Sequence, residues 1–301
     1  MSTRSSAAKE NPSSPSTSVL TILHISDLHF GPPYVPAVGQ ALLRGAEQLQ
    51  ADVIVASGDF TQRAKAKQFA DARAWLDRLP PVPLIVVPGN HDVPLYRVFE
   101  RVFRPYDNYQ QYISRDLQTV HARDDAVIVA LNTTSPLTAI TNGRISAAQL
   151  DFCAQAFQQA PAGAAKIIVA HHHIAPAPDY DHENDVLRGA RRALDRFSSL
   201  GVDLILGGHL HRAYIGNSLD VYPSHDRANG IIIAQSGTST SRRGRARERE
   251  KNSFNLIRVA NDTIHIMQYM YFSDTGGFEP AASHLFPRRP RHFLPANDAL
   301  N

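Results

Sequence analysis

Hydrophobic residues fall along this chain in short runs, each stopped by polar or turn-forming residues. The runs cover residues 19–25, 53–56, 84–87, 126–131, 166–170 and 204–206, and most are rich in valine and isoleucine. That is the composition of strands buried on both faces of a sheet. Between several of them the apolar positions recur at the helical period. Residues 37–50 and 64–79 carry it after the first two runs, the latter with Phe69, Ala72, Leu76 and Leu79 on one stripe. Residues 145–160 and 184–200 carry it ahead of later runs. Strand and helix patterns in alternation predict a layered α/β domain.

The last third changes character. Residues 230–236, 253–260 and 263–271 predict consecutive strands, with Asn261-Asp262 as a hairpin turn between the last two. The ends of the chain show neither pattern. Residues 1–18 are mostly Ser, Pro, Thr and Ala and read as a disordered tail. Residues 287–301 hold three arginines and three prolines and read as a loosely packed tail. One domain over 19–286 is left between them, with no internal repeat or linker.

Composition narrows the function. At 301 residues the chain has room for one large domain or two small ones. Cys153 is the single cysteine, so neither an intrachain disulfide nor a thiolate zinc site can form. It lies inside a helical pattern and reads as a core residue. The formal charge of +3 is too small to imply nucleic acid as a partner. No apolar run approaches the ~18 residues of a membrane span. With no leader-like segment in view, the expected location is the cytoplasm. The outlying number is 14 histidines.

Their positions matter more than their count. Ligands of open α/β sheets bind outside the carboxyl ends of the strands, and here those ends are polar. The first run ends in Ser26-Asp27-Leu28-His29, the second in Ser57-Gly58-Asp59, the third in Gly89-Asn90-His91-Asp92. Later runs end in His171-His172-His173 and in Gly208-His209-Leu210-His211. Residues i and i+2 of an extended chain point the same way, so Asp27 and His29 can reach one point. Asp27, Asp59 and Asn90 follow one another at 32 and 31 residues, one βαβ unit each. Any one of these endings alone reads as an ordinary polar turn. Five in order, all oxygen and nitrogen donors, point to divalent first-row metals rather than to a thiolate site.

Taken together, Asp27-x-His29, Gly58-Asp59, Gly89-Asn90-His91-Asp92, His171-His172 and Gly208-His209-x-His211 resemble the calcineurin-like metallophosphoesterase superfamily. The resemblance spans roughly residues 20–270. Within it, the wording of residues 24–31, 57–61 and 87–93 is similar to class III cyclic nucleotide phosphodiesterases and related glycerophosphodiesterases. The resemblance implies a four-layer αββα sandwich of two mixed sheets, with a dinuclear metal site at the strand ends. It implies Asp27, His29 and His211 on one ion, Asn90, His171 and His209 on the other, and Asp59 bridging. His91 is then no ligand but acts on the leaving group. The cofactors implied are two transition-metal ions: manganese, iron or zinc.

The function expected is hydrolysis of a small phosphodiester, a cyclic nucleotide among the candidates. A phosphomonoesterase and a nuclease share the centre and remain the alternatives. A non-catalytic member of the fold would have lost ligands, and none is lost here. His172 and His173 compete with His171 for the ligand's place and are otherwise candidates to support it or to face the substrate. Arg242 is a further substrate-facing candidate and opens a run of five arginines to Arg249 that reads either as a solvated loop or as a grip on an anion. Specificity is expected in loops 31–36, 62–67, 94–106 and 236–249. Asp92 either orients His91 or shapes its loop.

Overall fold

A computed structural model of the chain describes residues 19–138, 141–176, 186–221 and 230–288. Both expected tails, apart from residues 287 and 288, and the start of the expected helix at 184 lie outside the described residues. The first half runs β1 (Leu20–Ile25), α1 (Pro36–Leu49), β2 (Val53–Ala56), α2 (Ala66–Leu76) and β3 (Leu84–Val86). Two short helices follow, α3 (Val98–Phe103) and α4 (Asp107–Tyr112), then β4 (Thr119–Ala122) and β5 (Ala126–Leu131). Next come α5 (Ala147–Gln158), β6 (Ala165–Ala170), α6 (Ala190–Ser199), β7 (Leu204–Gly207), β8 (Tyr214–Asn217) and α7 (Ser218–Val221). The chain closes with β9 (Ile232–Gln235), β10 (Ser253–Val259), β11 (Thr263–Phe272) and β12 (Gly277–Pro287).

Among the described residues twelve strands form two sheets of six, in the orders β12-β11-β10-β1-β2-β3 and β4-β5-β6-β7-β9-β8. Both are mixed. β1, β2 and β3 pair in parallel, and so do β5, β6, β7 and β9. β10, β11 and β12 extend the first sheet antiparallel, β4 and β8 edge the second antiparallel, and β3 is a parallel edge. Strand alternation makes the layers. Ile22, Val53 and Val55 face Ile128, Ile167 and Leu206 of the other sheet. Their sequence neighbours Leu23 and Ile54 face outward onto Leu42, Phe69 and Trp75 of α1 and α2. On the second sheet Val129, Ile168 and Ile205 turn outward onto Leu150, Leu194 and Phe197 of α5 and α6. A strand buried on both faces has no polar side, which is why these runs read as continuously apolar. The result is the four-layer αββα sandwich, with every parallel strand delivering its carboxyl end to one rim.

Some elements escape a periodicity reading. β12 is an exposed edge strand interrupted by Pro280, where the ladder with β11 shifts register between Gln268 and Tyr269. Proline is tolerated at an edge bulge because no ladder donor is needed there. The strand runs through Pro287, and Arg288 donates to Asp203 Oδ1 at 3.0 Å and to the Gly163 carbonyl at 2.8 Å. Packed chain therefore continues two residues past 286, into the stretch expected to be loose. α6 begins at Ala190 because Gly189, at φ +88°, turns the backbone immediately before it.

Candidate metal centre

The five polar strand ends do meet. Beyond β1 and β2 the two loops continue as a ladder: Asp27 N donates to Gly58 O, His29 N to Asp59 O and Phe30 N to Phe60 O, at 2.8–3.0 Å. From the second sheet, Gly208 N donates to His171 O at 3.0 Å. Asp27, His29, Asp59, His209 and His211 all sit in the left-handed region, at φ between +50° and +75°. Asp and His tolerate that region better than most residues, yet it is uncommon for any non-glycine side chain. Strain of this kind, about 1–3 kcal/mol per residue, persists where the surroundings over-determine it and clusters at functional sites. Gly89 and Gly208 allow the close approach. A Cβ at Gly89 would strike the Asp59 carboxylate, and one at Gly208 would strike Ser26 Oγ and the Asp27 carboxylate.

Two donor clusters result. In the first, Asp27, His29, Asp59 and His211 are buried and turn one donor atom each to a common point. His29 Nε2 lies 2.9 Å from His211 Nε2, and Asp27 Oδ1 lies 3.1 Å from His211 Nε2. Asp59 Oδ2 lies 3.6 Å from His29 Nε2. In the second, Asn90 Oδ1 is 3.1 Å from His171 Nε2 and 2.9 Å from His209 Nδ1, and Asp59 Oδ1 is 3.4 Å from His171 Nε2. Asp59 thus offers one oxygen to each cluster. Ligands about 2.0–2.2 Å from a shared ion stand roughly 3 to 3.5 Å apart, and these separations match. Asp27 Oδ1 and Asp59 Oδ2 are buried without a well-formed hydrogen bond. A buried carboxylate oxygen with no donor is costly, and a cation answers it. The residues fit a pair of divalent ions.

Protonation states agree. Burial raises the Asp27 carboxyl, but the neighbouring His211 and His29 rings outweigh it and hold the group well below the usual carboxylate range. Burial likewise opposes Asp59, which the neighbouring His171 pulls down. Burial lowers His29 to about 4 and pushes His209 and His172 well below the ordinary histidine value, so these rings are neutral. A neutral imidazole is the form that ligates. His171 is the exception. Burial lowers it, but the charge and hydrogen bond of Asp59 raise it to about 9. Its Nδ1 donates to Ser57 O at 2.8 Å, which fixes Nε2 as the nitrogen facing the cluster. That nitrogen must lose its proton before it can ligate.

Several supporting groups had no role assigned from the sequence. Ser26 Oγ donates to Asp27 Oδ2 at 2.6 Å and His209 N donates to the same oxygen at 3.0 Å, which leaves Oδ1 for the cluster. Thr238 and Thr240 donate their hydroxyls to the carbonyls of Asp27 and Leu28. His24, lowered by burial to about 3 and hence neutral, pairs with Ser57 Oγ at 2.9 Å behind His171. Asp92 resolves in favour of the loop. Its carboxylate accepts from the amides of Phe60, Thr61 and Gly89 and from the Thr61 hydroxyl, and so ties the loops after β2 and β3 together.

The remaining candidates separate. His91 donates its backbone N–H to Asp59 Oδ1 at 2.8 Å, and its ring Nδ1 lies 2.9 Å from Gln62 O. A carbonyl only accepts, so Nδ1 carries the proton and Nε2 is left for another group. His172 Nδ1 pairs with Thr133 Oγ1 at 2.8 Å, while its Nε2 is buried without a hydrogen bond beside His171 and His209. It is therefore a further donor at the second cluster. His173 stacks on His209 at 5.6 Å. Arg242 is exposed and lines a surface cavity with Val35, Arg249 and Tyr271. Its neighbour Arg243 is half-buried and reaches Gln62 instead.

A layered sandwich of this kind, with a shared carboxylate among histidines at the strand ends, defines a class of metal-dependent phosphoesterases. Residues 20–213 match the model of that class, and the chain belongs to the calcineurin-like phosphoesterase family. No curated protein matches the chain. Among solved structures, a purple acid phosphatase from yellow lupin superposes at TM-score 0.68 with 13% identity, covering 91% of this chain. The chain spans only 55% of that enzyme's length. PhoD superposes at 0.60 with 10% identity, over 88% of this chain and 72% of its own. At such identities the likeness is one of fold.

Proposed function

We propose that this protein hydrolyses small phosphodiesters, cyclic nucleotides among the candidate substrates, at a dinuclear centre held by Asp27, His29, Asp59, Asn90, His171, His209 and His211. The observation that carries the reading is the two donor clusters that share Asp59. Two divalent ions bound there supply Lewis acidity to the phosphoryl group and to an attacking water. Manganese, iron and zinc all suit a donor set of oxygen and imidazole.

The chain's own groups supply the rest. Asp59 and Asp27 offset the charge of the two ions, and Asn90 adds a neutral oxygen. In the overall reaction a water oxygen bonds to phosphorus, the bond to the leaving oxygen breaks, and that oxygen takes a proton. His91 is the group placed to give it. Its Nδ1–H is fixed on Gln62 O, which leaves Nε2 for the leaving oxygen; burial, opposed by Asp59, lowers its pKa, so Nε2 must first take up a proton and then gives it up readily. His172 and His173 lie at the second cluster, His172 as a further nitrogen donor and His173 stacked on His209.

A rate panel tests the reading. Metal-loaded protein with Mn²⁺ is offered cyclic nucleotides, glycerophosphodiesters, bis-aryl diesters, monoesters and a DNA oligonucleotide. Turnover fastest on a small diester supports the proposal. Turnover confined to monoesters or to DNA replaces the substrate class, and no turnover on any arm overturns it.

A further inference from the structure

Two of the loops expected to set specificity meet at one point on the rim, and the residue they present is Arg243. The chain on either side of it is tied to the site. Arg242 N donates to Pro33 O at 2.9 Å, and Arg245 N donates to the carbonyl of His211 at 3.1 Å. Arg243 Nη1 donates to Gln62 Oε1 at 3.0 Å. The main chain of the same Gln62 holds the His91 ring. One residue therefore holds the guanidinium by its side chain and the imidazole by its carbonyl.

Among the described residues no carboxylate pairs with Arg243. In its own loop Glu248 accepts from Ala213 N at 2.8 Å and Gln268 Nε2 at 3.3 Å, and Glu250 is exposed. Arg243 Nε is buried without a hydrogen-bond partner. Burial works against its charge, and Asp59 and Asp27 are near enough to favour it. A half-buried guanidinium with unspent donors beside a phosphoester centre is suited to an oxyanion, which it can take on two parallel N–H groups.

Resting on the reading above, we infer that Arg243 is a substrate-binding residue: with Gln62 holding its Nη1, its remaining N–H donors grip a non-bridging phosphoryl oxygen on the His91 side of the centre. Arg242, the exposed neighbour, has no such part.

Titration calorimetry with inorganic phosphate tests this on protein loaded with two Mn²⁺, metal content being measured for each variant. Arg243→Gln is expected to keep both ions and its melting temperature while phosphate binding weakens on the order of 10–100-fold, as for loss of a charged hydrogen-bond partner. Arg243→Lys, which keeps the charge but not the fork, falls between. Gln62→Ala, which leaves the charge but frees its direction, weakens binding less than Arg243→Gln. Arg242→Gln binds as wild type. An Arg243→Gln affinity within about twofold of wild type overturns the assignment, and so does an equal loss in Arg242→Gln, which would mean a diffuse field rather than a contact. Wild-type protein that takes two ions yet neither binds phosphate nor cleaves any ester overturns the functional reading with it. Should Arg243→Gln lose metal or fail to fold, Arg243→Lys and Gln62→Ala decide: both unchanged sinks the inference.

Discussion

At the residue scale the site is a set of side chains held in backbone conformations they would not choose. Asp27, His29, Asp59, His209 and His211 all adopt positive φ, and the close packing that holds them leaves no room for Cβ at Gly89 or Gly208. Gly208→Ala should therefore displace Asp27, and elemental analysis should show less than two ions per chain. Asp59→Asn should lower metal content most among single ligand changes, because it serves both clusters; full content in that variant would remove its bridging role. His91 predicts the opposite. His91→Ala should keep both ions while kcat falls by about 10²–10⁴. The loss should be larger for alkyl than for nitrophenyl leaving groups, since only the former need the proton. Loss of an ion would instead make His91 a ligand.

At the element scale, helices on the outer faces hold the loops of the rim in place. α5 begins with a capping box in which Ser146 Oγ accepts from Gln149 N at 3.3 Å, and Gln149 Nε2 donates to the Asn132 carbonyl in the loop that supplies Thr133 to His172. Ser146→Ala should cost about 1 kcal/mol, seen as a fall of a few degrees in melting temperature. On the inner face of α5 lies Cys153, whose thiol burial pushes up to about 12. At pH 8 it is a thiol out of reach, so a thiol reagent should label it only after unfolding. Its folded pKa lies above the unfolded one. Stability should therefore decline as pH rises from about 9 towards about 12, where the unfolded chain ionises and the folded one does not.

For the whole molecule, the centre is a junction between sheets. Asp27, His29, Asp59 and Asn90 leave the first sheet, and His171, His209 and His211 leave the second. An ion bound by residues from both links the two inner layers, and binding only the folded state stabilises it by mass action. Chelation should lower the melting temperature by several degrees and Mn²⁺ should restore it. The gap should shrink in Asp59→Asn. Metal loss with no change in melting temperature would show that the sheets hold together without it.

The sequence by itself determined the parallel core and the order of the polar strand ends. Both are local: a strand buried on two faces must be apolar along its length, and it must stop where polar groups begin. The hairpin at Asn261-Asp262 was legible for the same reason, as Ala260 N closes it on Thr263 O. β12 was not, since an exposed edge strand carries proline and polar residues that a buried one cannot. Only the tertiary structure decided the contacts between distant segments. It set Asp92 to tying loops rather than orienting His91, put Thr133 behind His172, and turned Arg243 rather than Arg242 onto Gln62. Nothing local distinguishes two adjacent arginines. Which one points inward depends on where Pro33, Gln62 and His211 stand, and those positions are fixed by packing a sheet built from both ends of the chain against one built from its middle.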